Sequence, residues 1–141
     1  MNIKRLILAI LAGWVVIFAT DFLIHHFWLG PVYEATKPLW RPEEEMHTRI
    51  CWMFFAQFLI VATFVIVWAK GFAGRTIGTA VTFGLLMGVF QQTWAMILFV
   101  VLPMPGELAA KWFISGLAQA LLLGIVTALV YKPTPPSASQ L

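Results

Sequence analysis

The sole aspartate of the chain lies inside its first long apolar stretch, where charge is expensive. Asp21 is the only charged residue between Arg5 and Glu34. It is placed about 12 Å below the end of the predicted helix, where an ionised carboxylate costs at least about 2.5 kcal/mol. His25 follows four residues later and shares its helical face. The pair is either a proton or cation site, in which Asp21 can orient His25, or a hydrogen-bonded acid that only fixes helix register.

Side chains of the type that bind metals surround the connection between the first two apolar stretches. They are His25, His26, Glu43, Glu44, Glu45 and His47. Glu43 and His47 are four residues apart, as are His47 and Cys51, so carboxylate, imidazole and thiol share one helical stripe. Two imidazoles and a carboxylate suit a divalent metal such as zinc or ferrous iron, and histidines on facing helices can hold a haem iron. The alternative is that they are polar tips at a membrane boundary, because the chain has no HExxH motif.

Glutamines form a third polar set within the apolar stretches, namely Gln57, Gln91, Gln92 and Gln119. Buried amides need hydrogen-bond partners and commonly find one another across helices. One interpretation is therefore an interhelical amide network that only holds the helices together. In the other, the same amides and Asp21 line a polar track that opens towards His25 and Glu43 and accepts a small polar ligand or a proton.

These side chains need an apolar scaffold to position them, and the composition supplies one. Of 141 residues, 61% are hydrophobic and 11% are charged, whereas soluble domains carry about 25% charged residues. The charges leave uncharged runs of 20, 31 and 20 residues after Arg49, Arg75 and Lys111. A membrane span needs about 20 apolar residues. We therefore predict an all-α polytopic membrane protein, a bundle of four transmembrane helices surrounded by lipid.

Prolines, glycines and charges set the predicted helix ends at about 3–29, 42–69, 76–102 and 107–131. Gly30 and Pro31 are expected to stop the first helix, and Glu43 to Glu45 complement the positive end of the second helix dipole. Together the four helices form one domain, residues 1–132. The polar, proline- and serine-rich tail at 133–141 lacks core-forming residues, and we expect it to be disordered unless a partner holds it.

Small residues recur at four-residue spacing on three of the predicted helices, and on the first helix they are Ala9 and Gly13. Such faces let helices approach closely in lipid. Gln91 is expected to continue the face on the third helix. Packing within one chain is the simpler use of these faces, and self-association is the alternative. The other residues are Gly84 and Gly88 on the third helix, and Gly116, Ala120, Gly124 and Ala128 on the fourth.

The distribution of charge predicts how the chain is oriented. With four spans, five basic residues near the span ends fall on the side of the two termini and four on the other side. The positive-inside rule then favours both termini in the cytoplasm, and we expect the bacterial cytoplasmic membrane as the location. All five glutamates and all three histidines fall on the opposite side. The nine basic residues form no patch, which excludes nucleic acid as a partner, and a single cysteine, Cys51, excludes an intrachain disulfide.

The sequence Trp28-Leu29-Gly30-Pro31, followed by Trp40 and an acidic helix start, resembles a family of small bacterial and fungal four-span membrane proteins of unknown function. The resemblance covers most of residues 2–132 and implies the four-span fold but no activity. The residues themselves support two functional hypotheses. The first is an accessory, structural or assembly subunit that contacts a membrane-protein partner or a second copy. The second is an ion-, proton- or metal-handling protein, conceivably an enzyme, built around Asp21 and the histidines.

Overall fold

The chain forms helices joined by short turns in a computed structural model that describes residues 1–132. The predicted tail, 133–141, lies outside the described residues. No strand occurs in residues 1–132. The elements are α1 (Ile3–Leu23), a π-helical turn (Ile24–Trp28), α2 (Gly30–Ala35), a 3₁₀ turn (Lys37–Leu39), α3 (Glu43–Gly71), α4 (Ile77–Val101) and α5 (Gly106–Val130).

Four of these helices are long and apolar enough to cross a membrane. They contain 26 residues for α1 with its π-turn, 29 for α3, and 25 each for α4 and α5. Their ends lie close to the predicted positions because the sequence signals act locally. Asn2 caps α1 by accepting a bond from the backbone of Arg5, and Thr76 caps α4 through Thr79. The prediction of an all-α, multi-pass membrane protein in contact with lipid is confirmed.

The connection after α1 differs from the sequence prediction. Gly30 and Pro31 were expected to stop a helix, but they form the first turn of α2, where proline tolerates the absence of a backbone donor. Before them the chain widens into the π-turn, in which the amide of Leu29 donates to the carbonyl of Ile24, five residues back. Thus the first span ends through a change of helical pitch.

The turns place the polar residues at one end of the bundle. We call this end, with the π-turn, α2, the start of α3 and the α4–α5 connection, the glutamate end, since all five glutamates lie there. The opposite end holds the N-terminus, the α3–α4 turn and the end of α5, and we call it the terminal end. The α3–α4 turn passes through Gly74 with φ at 81°, a conformation that favours glycine.

α3 and α4 contact each other at only one end of the bundle. α1 packs against both α3 and α5, and α4 packs mainly against α5. At the terminal end, Phe83 of α4 contacts Phe64 and Trp68 of α3, with ring centroids 4.7 and 5.6 Å away. Towards the glutamate end, residues 43–60 of α3 are exposed except for Phe54 and Gln57. A cleft therefore separates α3 from α4 in this half of the bundle.

The small-residue faces of α4 and α5 meet within one chain. A Cβ atom on Gly84 would lie 2.6 Å from the carbonyl oxygen of Ala120, and one on Gly88 would lie 2.9 Å from the Ala120 Cβ. Gln92 continues the α4 face and lies directly against Gly116. A helical face repeats at spacings of both three and four, so Gln91 and Gln92 both follow Gly88 on this side of α4. The half-buried Ala128 lies against the core near the terminal end.

Candidate functional site

The intramembrane cleft is a cavity of about 300 Å³ lined by all four spans. Its volume is at the small end of the range for ligand sites. Apolar side chains, among them Ile60, Trp94 and Leu98, line the part between α3 and α4. Its polar lining consists of Asp21, His25, Gln57, Gln91, Gln92, Ser115 and Gln119. The structure thus gathers Asp21, His25 and the four candidate glutamines around one space.

Asp21 is held by amide donors from two other helices. Its Oδ1 accepts a hydrogen bond of 2.8 Å from Gln119 Nε2 on α5, and its Oδ2 accepts one from Gln57 Nε2 on α3. Gln119 Nε2 also lies 3.0 Å from Thr20 Oγ1. The two amides fix the carboxylate against helices that are distant in sequence.

One buried acceptor in this cleft has no donor among the described residues. This acceptor is Oε1 of Gln57. No lysine or arginine is among the described residues that line the cleft, and Asp21 is the one carboxylate among them. The closest ionisable group to Asp21 is His25, whose Nε2 is 3.9 Å from Oδ1. The carboxylate therefore has hydrogen-bond donors but no permanent cation beside it.

His25 connects the cleft to the surface through the connector helix α2. Its Nδ1 lies 2.8 Å from the hydroxyl of Tyr33, and the rings stack with centroids 5.7 Å apart. Trp112 Nε1 of α5 donates to the same hydroxyl over 2.8 Å. Since the Tyr33 oxygen already accepts from Trp112, its own proton is free to bond Nδ1. This arrangement leaves the proton of neutral His25 on Nε2, which faces Asp21.

Tyr33 is held in its neutral form. Burial raises the pKa of Tyr33 to about 12, the Trp112 hydrogen bond opposes the shift, and the negative charge of Asp21 adds to it. The phenol therefore keeps its proton, and with it the ability to donate to His25, throughout the physiological range of pH.

A second cavity lies outside the cleft at the glutamate end, and we call it the glutamate-end cavity. Its volume is about 650 Å³, and His25, Tyr33 and Trp112 line it. The charged side chains in its wall are Glu34, Lys37, Arg41 and Glu43. Lys37 pairs with Glu34 at 3.2 Å, and Arg41 pairs with Glu45 at 3.0 Å. His25 and Trp112 also line the cleft, so these two side chains form the wall between the two spaces.

The candidate metal ligands do not form one cluster among residues 1–132. His26 stacks on Phe22 at 5.5 Å, while His47 lies 3.7 Å from Glu43 on the exposed first turns of α3. Glu44 is exposed beside them. Within residues 1–132 no three histidine, cysteine, aspartate or glutamate side chains are close enough to hold a metal ion. The candidate ligands therefore have separate neighbours, with His47 beside Glu43 and His26 beside Phe22.

Sequence reasoning missed two members of the site, Tyr33 and Trp112. Tyrosine and tryptophan are typical of membrane boundaries, a role that fits their depth. The available signal for Tyr33 was its short separation from His25, eight residues along the chain. For Trp112 the sequence offers no comparable signal, because its contact with Tyr33 joins residues 79 positions apart.

Comparison of the chain with protein-family models, with curated proteins and with solved structures gives no match. The resemblance based on Trp28 to Pro31 and Trp40 stays a prediction.

Proposed function

We propose that this protein binds a small amphipathic amine within the membrane, with the ammonium group at Asp21. The observation that carries the proposal is that the negative charge in the cleft has no positive side chain beside it. Amides hold a carboxylate in place, yet the described lining contains no lysine or arginine. A carboxylate at this depth is costly unless a cation balances it. A ligand that brings one positive charge removes this cost.

The hydrogen-bonding capacity of the cleft suits an ammonium group, which has three donors and no acceptor. Asp21 retains free lone pairs beside its two amide bonds, and Gln57 Oε1 lacks a donor within residues 1–132. Ser115 Oγ donates to the carbonyl of Trp112, so its oxygen can accept a third bond. At 4 Å, an ammonium and a carboxylate attract by about 4 kcal/mol in a surface-like dielectric. The indole ring of Trp112 adds a face that attracts cations.

The shape of the cleft favours an amphipathic ligand. Its side between α3 and α4 is lined by Ile60, Trp94 and Leu98. Trp94 is 60% exposed on the lateral surface of the bundle. An alkyl chain that leaves the cleft here enters the lipid without losing contact with apolar surface. The amine head would therefore reach Asp21 by moving sideways from the bilayer.

We further propose the bacterial cytoplasmic membrane as the location, with both termini in the cytoplasm. The support is the excess of basic residues at the terminal end, five against four. The glutamate end, and with it the glutamate-end cavity, would then face the outside of the cell.

The proposal is tested with three probes that share one alkyl chain, namely octylamine, octanol and octanoate. Purified protein in detergent is titrated with each probe while its tryptophan fluorescence and melting temperature are recorded. We expect octylamine alone to change the fluorescence with saturation, because Trp94 and Trp112 line the cleft. At about one hundred times its Kd, it should stabilise the fold by about 2.7 kcal/mol.

Two variants make this experiment specific. Asp21→Asn removes the charge at the site, and Glu44→Gln removes an exposed carboxylate at the same end. We expect the first variant to lose the octylamine response and the second to keep it. Equal responses to octylamine and octanol, or an unchanged response in Asp21→Asn, would contradict an ammonium site.

The role of an accessory or assembly subunit stays a prediction. The small faces of α4 and α5 are occupied within one chain, so a partner or a second copy would need another surface. The native mass of the detergent-solubilised protein measures self-association directly.

A further inference from the structure

His25 stands where separate spaces around Asp21 meet. It lines the intramembrane cleft, the glutamate-end cavity, and a groove of about 450 Å³ beside Phe22 and Phe54. Asp21 lines the cleft and the groove but not the glutamate-end cavity. A proton that passes from that cavity to Asp21 therefore meets the imidazole on its way.

We propose that His25 carries protons between the water at the glutamate end and Asp21, so that this carboxylate exchanges its proton with one side of the membrane only. The groups stand in sequence, with the Tyr33 hydroxyl 2.8 Å from His25 Nδ1 and His25 Nε2 3.9 Å from Asp21 Oδ1. The last distance is too long for a direct hydrogen bond. Both atoms border a polar cleft large enough for a bridging water.

At each step one proton moves, and the total number of protons does not change. A proton from water in the glutamate-end cavity arrives at the Tyr33 oxygen as the phenol proton passes to His25 Nδ1. The Nε2 proton of His25 then passes through water to Asp21, and the imidazole is left as its other neutral tautomer. Release takes the same steps in reverse, so repeated exchange needs no separate resetting step. Tyr33 never has to stand as a free phenolate when the transfers are concerted.

The path ends at Asp21 because the bundle is closed below it. Val61, Phe64, Phe83 and Leu123 fill the space towards the terminal end, and none is more than 6% exposed. The hydrogen-bond chain through Gln119 reaches Thr20, whose hydroxyl donates to the carbonyl of Val16. A backbone carbonyl has no proton to pass on, so the chain of exchangeable groups stops there.

Most of the charged side chains around His25 pair with one another and not with its imidazole. On α1 it faces Asp21, with His26 next in the chain, and on α2 it contacts Tyr33. The glutamate-end cavity that it borders also contains Glu34, Lys37, Arg41 and Glu43. On α5, Lys111 pairs with Glu107 at 2.7 Å and lies over the Trp28 ring. The charges paired among themselves are Glu34 with Lys37, Arg41 with Glu45, and Glu107 with Lys111.

The composition of the chain makes this proposal directly measurable. Asp21 is the only aspartate, so aspartate labelled at its side-chain carboxyl carbon reports on this one group by isotope-edited infrared spectroscopy. The labelled protein is reconstituted into vesicles. Their orientation is selected with an impermeant biotin reagent on Glu34→Cys, in a Cys51→Ser background. The carboxyl signal is then monitored after a rapid pH jump outside the vesicle.

We expect the Asp21 signal to respond at once when the jump is applied at the glutamate end. It should respond at the terminal end only as fast as the pH gradient itself collapses. His25→Phe, which keeps the ring stacked on Tyr33, should slow the exchange by about a hundredfold, the lower end for a positioned acid–base group. The matched control is His26→Phe, because His26 stacks on Phe22 and lies outside the cleft lining.

Other results would overturn the proposal. Equal responses from both ends would show a second path, and wild-type exchange in His25→Phe would show that the imidazole is not the carrier. A carboxyl signal that is the same at every pH would show that Asp21 does not exchange a proton. Since no amine is present in this experiment, its failure leaves the amine proposal standing, and failure of the octylamine titration leaves this one standing.

Discussion

A Cβ atom added to Gly124 on α5 would lie 2.6 Å from the backbone carbonyl oxygen of Ala80 on α4. Backbone atoms cannot rotate away as a side chain can. The two helices are therefore held at a distance that only a glycine allows, which is how small residues associate helices in lipid.

From this contact we predict how much one methyl group added at Gly124 destabilises the fold. Gly124→Ala should destabilise the fold by about 1–3 kcal/mol through overpacking, and Gly124→Leu should cost more. Gly78→Ala is the matched control, because its nearest neighbour would be Thr76 Oγ1 at 3.6 Å and alanine favours a helix by about 0.5–1 kcal/mol. Thermal melts in detergent measure both changes. Equal melting temperatures for the Gly124→Ala and Gly78→Ala variants would show that the α4–α5 face is not tightly packed.

We predict that moving the carboxylate from position 21 on α1 to position 119 on α5 restores the stability that Asp21→Asn loses. Asp21→Asn leaves one acceptor oxygen where two amides donate, so we expect a loss of about 1.5–3 kcal/mol, the range for a hydrogen bond to a charged group. A second substitution, Gln119→Glu, places the carboxylate on α5, where the amide introduced at position 21 can donate to it. The double variant should recover most of the melting temperature. A double variant no more stable than Asp21→Asn would argue against this contact.

Tyr33 predicts a loss of stability at high pH. Its pKa is raised from 10.0 to about 12 in the folded protein, so its contribution to folding is complete below pH 10. That contribution is lost as pH rises from 10 to 12, because the unfolded chain releases the phenol proton first. The melting temperature should fall across this range, and Tyr33→Phe should reduce the fall. Absorbance of tyrosinate in the folded protein measures the titration itself.

The orientation of the chain predicts which introduced thiols react. In a Cys51→Ser background, Glu34→Cys should react with an impermeant maleimide from outside intact cells, while Arg75→Cys should not. Both positions are exposed in the structure, so accessibility of the side chain is matched. The reverse pattern would invert the orientation and place the glutamate-end cavity on the cytoplasmic side.

The sequence predicted the spans well because each signal for them is local. An uncharged run and its flanking charges suffice to place a helix, and the facing small residues of α4 and α5 are recognisable from a spacing of four. The cleft was predicted only in part. Asp21 and Gln119 are identifiable as polar residues in apolar stretches, but their contact depends on how α1 and α5 pack. A single sequence contains no signal for that arrangement.

The hypothesis of a metal site, one of two alternatives that the sequence leaves open, lacks a three-ligand cluster in residues 1–132 for a related reason. It assumed that the start of α3 would lie against the end of α1, which would bring His47 near His25. The first turns of α3, residues 43–53, are exposed, so burial against α1 does not hold them there. His47 instead lies beside Glu43, its neighbour one turn away.

The π-turn makes the site depend on the length of the helix as well as on its residues. The wide turn from Ile24 to Trp28 accommodates one residue more than an α-helical turn would, and His25 lies within it. Had the same residues formed a regular α-helix, Tyr33, eight residues after His25, would point about 80° away from it around the helix axis. Deleting a single residue there, such as the exposed Phe27, would place the two side chains seven residues apart, close to two full turns, so they would still face each other without a π-turn. A related chain could therefore keep this contact with an eight-residue spacing and a π-turn, or with a seven-residue spacing and none.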